Sequence, residues 1–127
     1  MSYYISKTIN ATMDEAFAKV SDALQLVGFG IVTDFNVSNA FKNKLEIDFR
    51  PYRILGVCNP PFAKKALDAD NKIGVMLPCN MVLQLMDKGV EVTVIDPVAS
   101  MSAVDNPIIK EIAQEIKIKL NSVIDSL

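Results

Sequence analysis

Asp87-Lys88-Gly89 lies between two extended runs, Asn80 to Met86 before it and Val90 to Ile95 after it. A short connector ending in glycine, at a position suited to positive φ, joins antiparallel neighbours in a hairpin. In the returning run Val90, Val92 and Val94 share one face and Ile95 takes the other. Asp96-Pro97 ends it, because proline cannot extend the ladder. The sheet is therefore at least partly antiparallel, and the helices around it have to be fitted to that.

The helices announce themselves by spacing and caps. Thr12 and Glu15 form a capping-box pattern, and Met13, Ala16, Phe17, Val20, Leu24 and Val27 follow at helical spacing until Gly28. Ser38 is the expected cap of a short helix through about Leu45. Asn59, with Pro60 and Pro61 behind it, opens a helix that ends near Asp70-Asn71. Asp105 or Asn106 opens the last one, with Pro107 in its first turn. Ile108, Ile109, Ile112, Ala113, Ile116, Leu120, Val123, Ile124 and Leu127 form its broad apolar face, and Ile118 lies off that face.

Between them, Tyr3 to Ile9, Phe29 to Phe35 and Tyr52 to Cys58 read as strands, with a turn over Asp48 to Pro51. Tyr52, Ile54 and Cys58 share one face of the third strand, and Arg53, Leu55 and Val57 share the other. Ile73 to Leu77 reads as a buried strand interrupted at Pro78 and continued by Asn80 to Met86; a loop is expected from Pro97 to Val104. The order is β-α-β-α-β-α-β-β-α, an α+β fold with helices packed on a partly antiparallel sheet. One domain over residues 1–127 is expected from the length.

Composition excludes several function classes. There is no histidine, so the usual general base and metal ligand are missing, and Ser-His-Asp and Cys-His catalysis are ruled out. The net charge is −2, which gives no support to nucleic acid as a partner. No apolar run reaches the roughly 18 residues of a membrane-spanning helix, so no membrane partner is expected. Met1 to Lys7 lacks the basic-then-apolar pattern of a signal peptide, which makes the cytoplasm the default location and free thiols the default state of the two cysteines. Half of the residues are apolar and the mean hydropathy is +0.26. That is high for a small monomer, and the strands carry apolar residues on both faces (Ile54 and Leu55, for example), so a homodimer is expected.

The densest chemical signal is a pair of tripeptides, Cys58-Asn59-Pro60 and Pro78-Cys79-Asn80. Each sets a thiol and a carboxamide beside a ring that fixes the backbone, where a strand ends or breaks. Two converging thiols could form a reversible disulfide or hold a soft metal such as Cu(I), with Met76, Met81 and Met101 as further sulfur donors. Against this stands the plainer reading of two small buried cysteines and two asparagine caps. Two cysteines without histidine are too few for a closed zinc site, so no metal residues are assigned. The helix start at Asn59, with Lys64 and Lys65 nearby, could attract an anion, although a plain capped helix explains it as well. Asp96 either caps a turn or faces a pocket. Arg53 is an edge residue, an ion-pair partner or a ligand clamp.

The run Tyr52-Arg53-Ile54-Leu55-Gly56-Val57-Cys58-Asn59-Pro60-Pro61-Phe62-Ala63, with Ile73 to Asn80 and the later Asp96-Pro97, resembles the domain of unknown function 302 family. The segments that carry the resemblance span roughly residues 36–101, and the flanking elements fit the same layout. The resemblance implies a small α+β bacterial or archaeal domain that is homodimeric. It brings no activity or cofactor with it, so it narrows the fold far more than the function.

Two classes of function are then expected. The first is a non-enzymatic, homodimeric small-ligand-binding or interaction module, with candidate site residues Cys58, Asn59, Pro60, Cys79, Asn80 and Asp96. The second is a thiol-dependent redox enzyme or sensor, or a Cu(I)-binding protein, using Cys58 and Cys79. Cys58 just before a helix start favours a thiolate, whereas the lack of histidine does not.

Overall fold

The structure, a computed structural model, describes residues 2–127; Met1, where the signal-peptide reading begins, lies outside them. In chain order the elements are β1 (Tyr4–Ile9), α1 (Met13–Leu26), β2 (Gly30–Asn36), α2 (Val37–Leu45), β3 (Tyr52–Cys58) and α3 (Pro60–Ala69). Then come a 3-10 turn (Ile73–Met76), β4 (Cys79–Met86), β5 (Gly89–Ile95), α4 (Pro97–Ser100) and α5 (Pro107–Ser126). The strands form one sheet in the order β1-β5-β4-β3-β2, and every pairing is antiparallel. The expected α+β order is present. No helix of the described residues is long and apolar enough to cross a membrane.

Local chemistry explains most boundaries. Thr12 and Glu15 close the reciprocal capping box on α1. Gly89 takes φ +136° at the β4–β5 hairpin, where a Cβ would overlap the Ile9 carbonyl. The cap of α2 is Asn36 rather than Ser38: Asn36 Oδ1 accepts from Asn39 N–H at 3.0 Å, and the Ser38 hydroxyl donates to that same oxygen at 2.8 Å. Asn106, not Asp105, caps α5.

Three further local expectations fail. Ile73 to Leu77 is a 3-10 turn and not a strand: Val75 N–H bonds Lys72 O and Leu77 N–H bonds Gly74 O, each at 3.1 Å, and Val75 lies almost fully in solvent. A four- or five-residue apolar run has no periodicity that separates strand from turn. The expected loop after Pro97 contains the one-turn helix α4, started by the Asp96 carboxylate. Ile108, assigned to the inner face of α5, is exposed; Ile109 beside it is fully buried, so Ile108 lies at the margin of the stripe, turned away from the core.

Strand alternation gives the sheet two unlike faces. One presents Leu55, Val57, Met81, Leu83, Val90, Val92 and Val94, all essentially inaccessible to solvent. α1 covers them with Ala16, Val20 and Leu24, and α5 with Ile109, Ile112, Ile116, Leu120 and Val123; Ala66 of α3 joins the same cluster. Each fully buried aliphatic side chain of this kind contributes roughly 1.5–3 kcal/mol. On the other face the register lays out a cross-strand row of Phe35, Ile54, Val82, Thr93 and Ser6. None of the helices that build the main cluster lies over that row. α2 packs at the β3 end of the sheet, where Phe41, Phe49 and Tyr52 form a chain of tilted and edge-on rings.

Candidate functional site

The two tripeptides meet at the end of the sheet where β3 stops and β4 starts. Cys79 lies directly across the ladder from Val57, and Cys58 is the next residue on that strand. Beyond it Asn59 turns the chain into α3. Its Oδ1 accepts from Phe62 N–H at 3.4 Å, and its Nδ2 donates to the Val27 carbonyl at 3.4 Å. One carboxamide thus serves the start of α3 and the end of α1, which is why it is buried. Gly28 makes room for it: φ is +83°, and a Cβ there would come within 3.1 Å of Asn59 Nδ2. Pro60 occupies the first helical position and is exposed.

Cys79 is 6% exposed and Cys58 half-buried; both are free thiols. Burial first, and the nearby Cys58 second, push the Cys79 thiol up to about 11, so it stays protonated at neutral pH. Both cysteines line one apolar cavity of about 20 Å³, whose other walls include Phe29, Phe62, Met101 and Ile116. On this measure one water needs about 10–15 Å³ and organic-ligand pockets begin near 300 Å³, so the cavity is the size of a water and not of an organic ligand. The cavity as it stands is a packing gap beside two thiols.

The remaining candidates are placed elsewhere. The Pro78 ring lies over Gly56 on the opposite face of the sheet. A Cβ on Gly56 would come within 2.6 Å of Pro78 Cγ and would overlap the Thr33 hydroxyl. The Leu77–Pro78 peptide is cis. Asn80, across from Gly56, is exposed on that same face, away from the thiol cavity. Asp96, 7% exposed, ends β5. Its Oδ1 accepts from Val98 N–H at 2.9 Å and Ala99 N–H at 3.4 Å, and its Oδ2 pairs with Lys117 Nζ of α5 at 2.9 Å. Burial alone would raise this carboxyl; the Lys117 hydrogen bond and the two backbone donors outweigh it and hold it below the usual carboxylate range. It caps a turn and ties β5 to α5.

Arg53 is an ion-pair partner and not an open clamp. Its Nε donates to Asp34 Oδ1 at 3.1 Å, its Nη2 pairs with Asp34 Oδ2, and the guanidinium stands 4.3 Å from the Phe17 ring centre. The lysines near the start of α3 also have partners within the chain. Lys64 pairs with Asp68 at 2.6 Å, and Lys65 lies 5.7 Å from the Phe62 ring centre. Among the described residues no group of three or more His, Cys, Asp or Glu could hold a metal ion.

The structure therefore gathers Cys58, Asn59 and Cys79 and leaves Asn80 and Asp96 apart from them. Of the three methionines named as sulfur donors, Met101 lines the cavity and Met76 and Met81 do not; sequence reasoning did not single out Phe29 and Phe62 as cavity walls, nor Gly56 as the seat of Pro78. A glycine inside a strand is the one available signal for the latter, since it marks a close approach.

A family model described as "Domain of unknown function DUF302" matches residues 5–127. Among solved structures, an uncharacterized conserved DUF302 protein from Bacillus stearothermophilus is similar at 27% identity and a TM-score of 0.91, over 98% of each chain. No curated protein matches the chain.

Proposed function

The chain belongs to the DUF302 family, and from that premise we propose that it is a non-enzymatic interaction module that works as a homodimer. One observation carries the reading. The motif side chains richest in chemistry are already engaged in holding the chain together: Asn59 joins two helix ends, Asp96 caps α4 and pairs with Lys117, and Cys79 packs in the core as a protonated thiol. Outward the chain exposes apolar side chains such as Tyr4, Phe35 and Met86, and the reading takes them as parts of a contact surface. Sedimentation equilibrium at micromolar concentration tests it. A species of twice the chain mass is expected, and a single species of the chain mass would refute it.

A second reading is favoured by the shared cavity of Cys58 and Cys79: a thiol pair that is oxidised reversibly or holds Cu(I). It requires the Cys79 proton to leave against the cost of burial. Titration of the reduced protein with Cu(I) under a competing chelator tests it. One ion retained per chain, and lost in Cys79→Ser, supports this reading; no retention removes its Cu(I) form.

A further inference from the structure

We propose that the groove between α3 and α5 docks a basic amphipathic helix of another protein. The inference rests on the reading of the chain as an interaction module and is independent of its dimerisation. The groove has a volume of about 330 Å³, and Ala69, Ile108 and Ile112 form its apolar part. Ile108 is the side chain that the fold leaves without a use. It is 54% exposed, while Ile109, Ile112, Ile116 and Ile124 of the same helix are buried. A scattered exposed isoleucine needs no explanation, but this one stands in a concave site. Beyond Asp68 and Ala69 the groove continues into an open cleft that holds Leu67, itself 42% exposed.

The two walls are fixed to each other within the chain. Asn106 Oδ1 accepts from Ile108 N–H at 3.0 Å, and its Nδ2 donates to the Ala69 carbonyl at 3.2 Å. One carboxamide thus caps α5 and ties it to the end of α3. A groove already in place spares a ligand the cost of ordering it.

Charge identifies the occupant. Glu111 and Glu115 both line the groove, one turn apart on α5, and like charges at this spacing repel. Among the described residues neither has an ion-pair partner, and neither does Asp105 in the adjoining cleft. The lysines of α3 are directed elsewhere: Lys64 pairs with Asp68 at 2.6 Å, and Lys65 stands 5.7 Å from the Phe62 ring centre. The chain therefore carries a local repulsion that cations on a partner would relieve. A helix laid along the groove presents Lys or Arg four residues apart at the same spacing as the two glutamates, about 6 Å along its axis. Apolar residues on that face then cover Ile108, which is recognition of an amphipathic helix by a groove. A second copy of the chain does not fit. A two-fold contact through this site would set the glutamates of one copy against those of the other. A contact of this size is transient.

The test is fluorescence anisotropy of a labelled synthetic peptide of leucine and lysine in amphipathic helical order, titrated with the full chain. Far-UV circular dichroism is the folding control. Saturable binding is expected, and the same peptide with glutamate in place of lysine is expected not to bind. Glu111→Lys and Glu115→Lys are each expected to weaken binding about tenfold or more, and Ile108→Ser by about tenfold, with unchanged spectra. Asp87→Lys, in the exposed β4–β5 hairpin, makes the same change in net charge and is expected to leave binding within about twofold. Absence of saturable binding, equal binding of the glutamate peptide, unchanged binding in Glu111→Lys or Ile108→Ser, or an equal loss in Asp87→Lys overturns this docking site. The module reading is decided separately, by the sedimentation result.

Discussion

Gly56→Ala is a small change with a large consequence in this fold. The added methyl would lie 2.6 Å from Pro78 Cγ and overlap the Thr33 hydroxyl, whereas carbon atoms in good contact stay about 3.5–4.0 Å apart. The Thr33 side chain can relieve its part by rotating about χ1, although a β-branched residue in a strand has few alternatives. The Pro78 ring has no such freedom, so the segment from Leu77 to Cys79 has to move by about 1 Å, the shortfall against normal contact. Overpacking of this kind costs about 1–3 kcal/mol. Replacing a strand glycine by alanine returns about 0.5–1 kcal/mol through the unfolded chain. The overlap wins, and a net loss of about 1–2 kcal/mol is expected. Urea titration followed by circular dichroism reads it as a lower midpoint at constant slope, a shift of about 1 M for a slope near 1.5 kcal/mol/M. In a Thr33→Ala background the cost of Gly56→Ala is expected to fall by about 0.5 kcal/mol or more, because one of the two overlaps is gone. A neutral or stabilising Gly56→Ala would show that Pro78 does not rest on the sheet, and the account of the Pro-Cys-Asn corner would be wrong.

Leu120→Ala, at a fully buried position of α5, is expected to cost about 2–5 kcal/mol in the same assay, and an unchanged midpoint would show that α5 does not pack on the sheet. Native Cys79 is expected to react with a maleimide at pH 7 more than about tenfold slower than in denaturant, because its thiol is buried and its pKa is raised to about 11; labelling at the denatured rate would reverse that. The Asp96 carboxyl titrates lower in the folded state than in the unfolded chain. Its stabilisation is therefore present above the ordinary carboxylate pKa and is lost as pH falls through the folded value. Asp96→Asn is expected to cost about 1 kcal/mol at pH 7, limited by the partial exposure of Lys117, with the deficit shrinking in acid as the wild-type carboxyl takes up its proton; a deficit that is constant with pH would contradict the ion-pair role.

The features legible in the sequence are those encoded within a few residues. Thr12 with Glu15, Asn59 before two prolines and Gly89 in the hairpin each act on backbone next to them, and each sits where its local chemistry puts it. The α5 stripe is legible because 3.6-residue periodicity persists over five turns, and it errs only at Ile108, at the margin of the stripe. The Ile73 to Leu77 segment misleads because five apolar residues fit a strand as well as a turn, and the contacts that decide lie outside it. For the candidate site, the caps were legible and the partners were not. That Asn59 also bonds the Val27 carbonyl, that Asp96 meets Lys117, and that Pro78 lies on Gly56 are contacts across 32, 21 and 22 residues of chain, which no local pattern specifies. The shared strand-break setting of the two tripeptides suggested one cluster of six residues. The pleat divides them, since alternation sends Cys79 inward and Asn80 outward.

The central claim, a homodimeric interaction module whose motif residues maintain its own architecture, is tested most directly by native mass spectrometry of the protein purified from its own host. The account predicts a species of twice the chain mass, with no added mass and no loss of two hydrogen atoms to a disulfide. A species of the chain mass, or a dimer carrying a stoichiometric ligand or metal that Cys79→Ser abolishes, would contradict it.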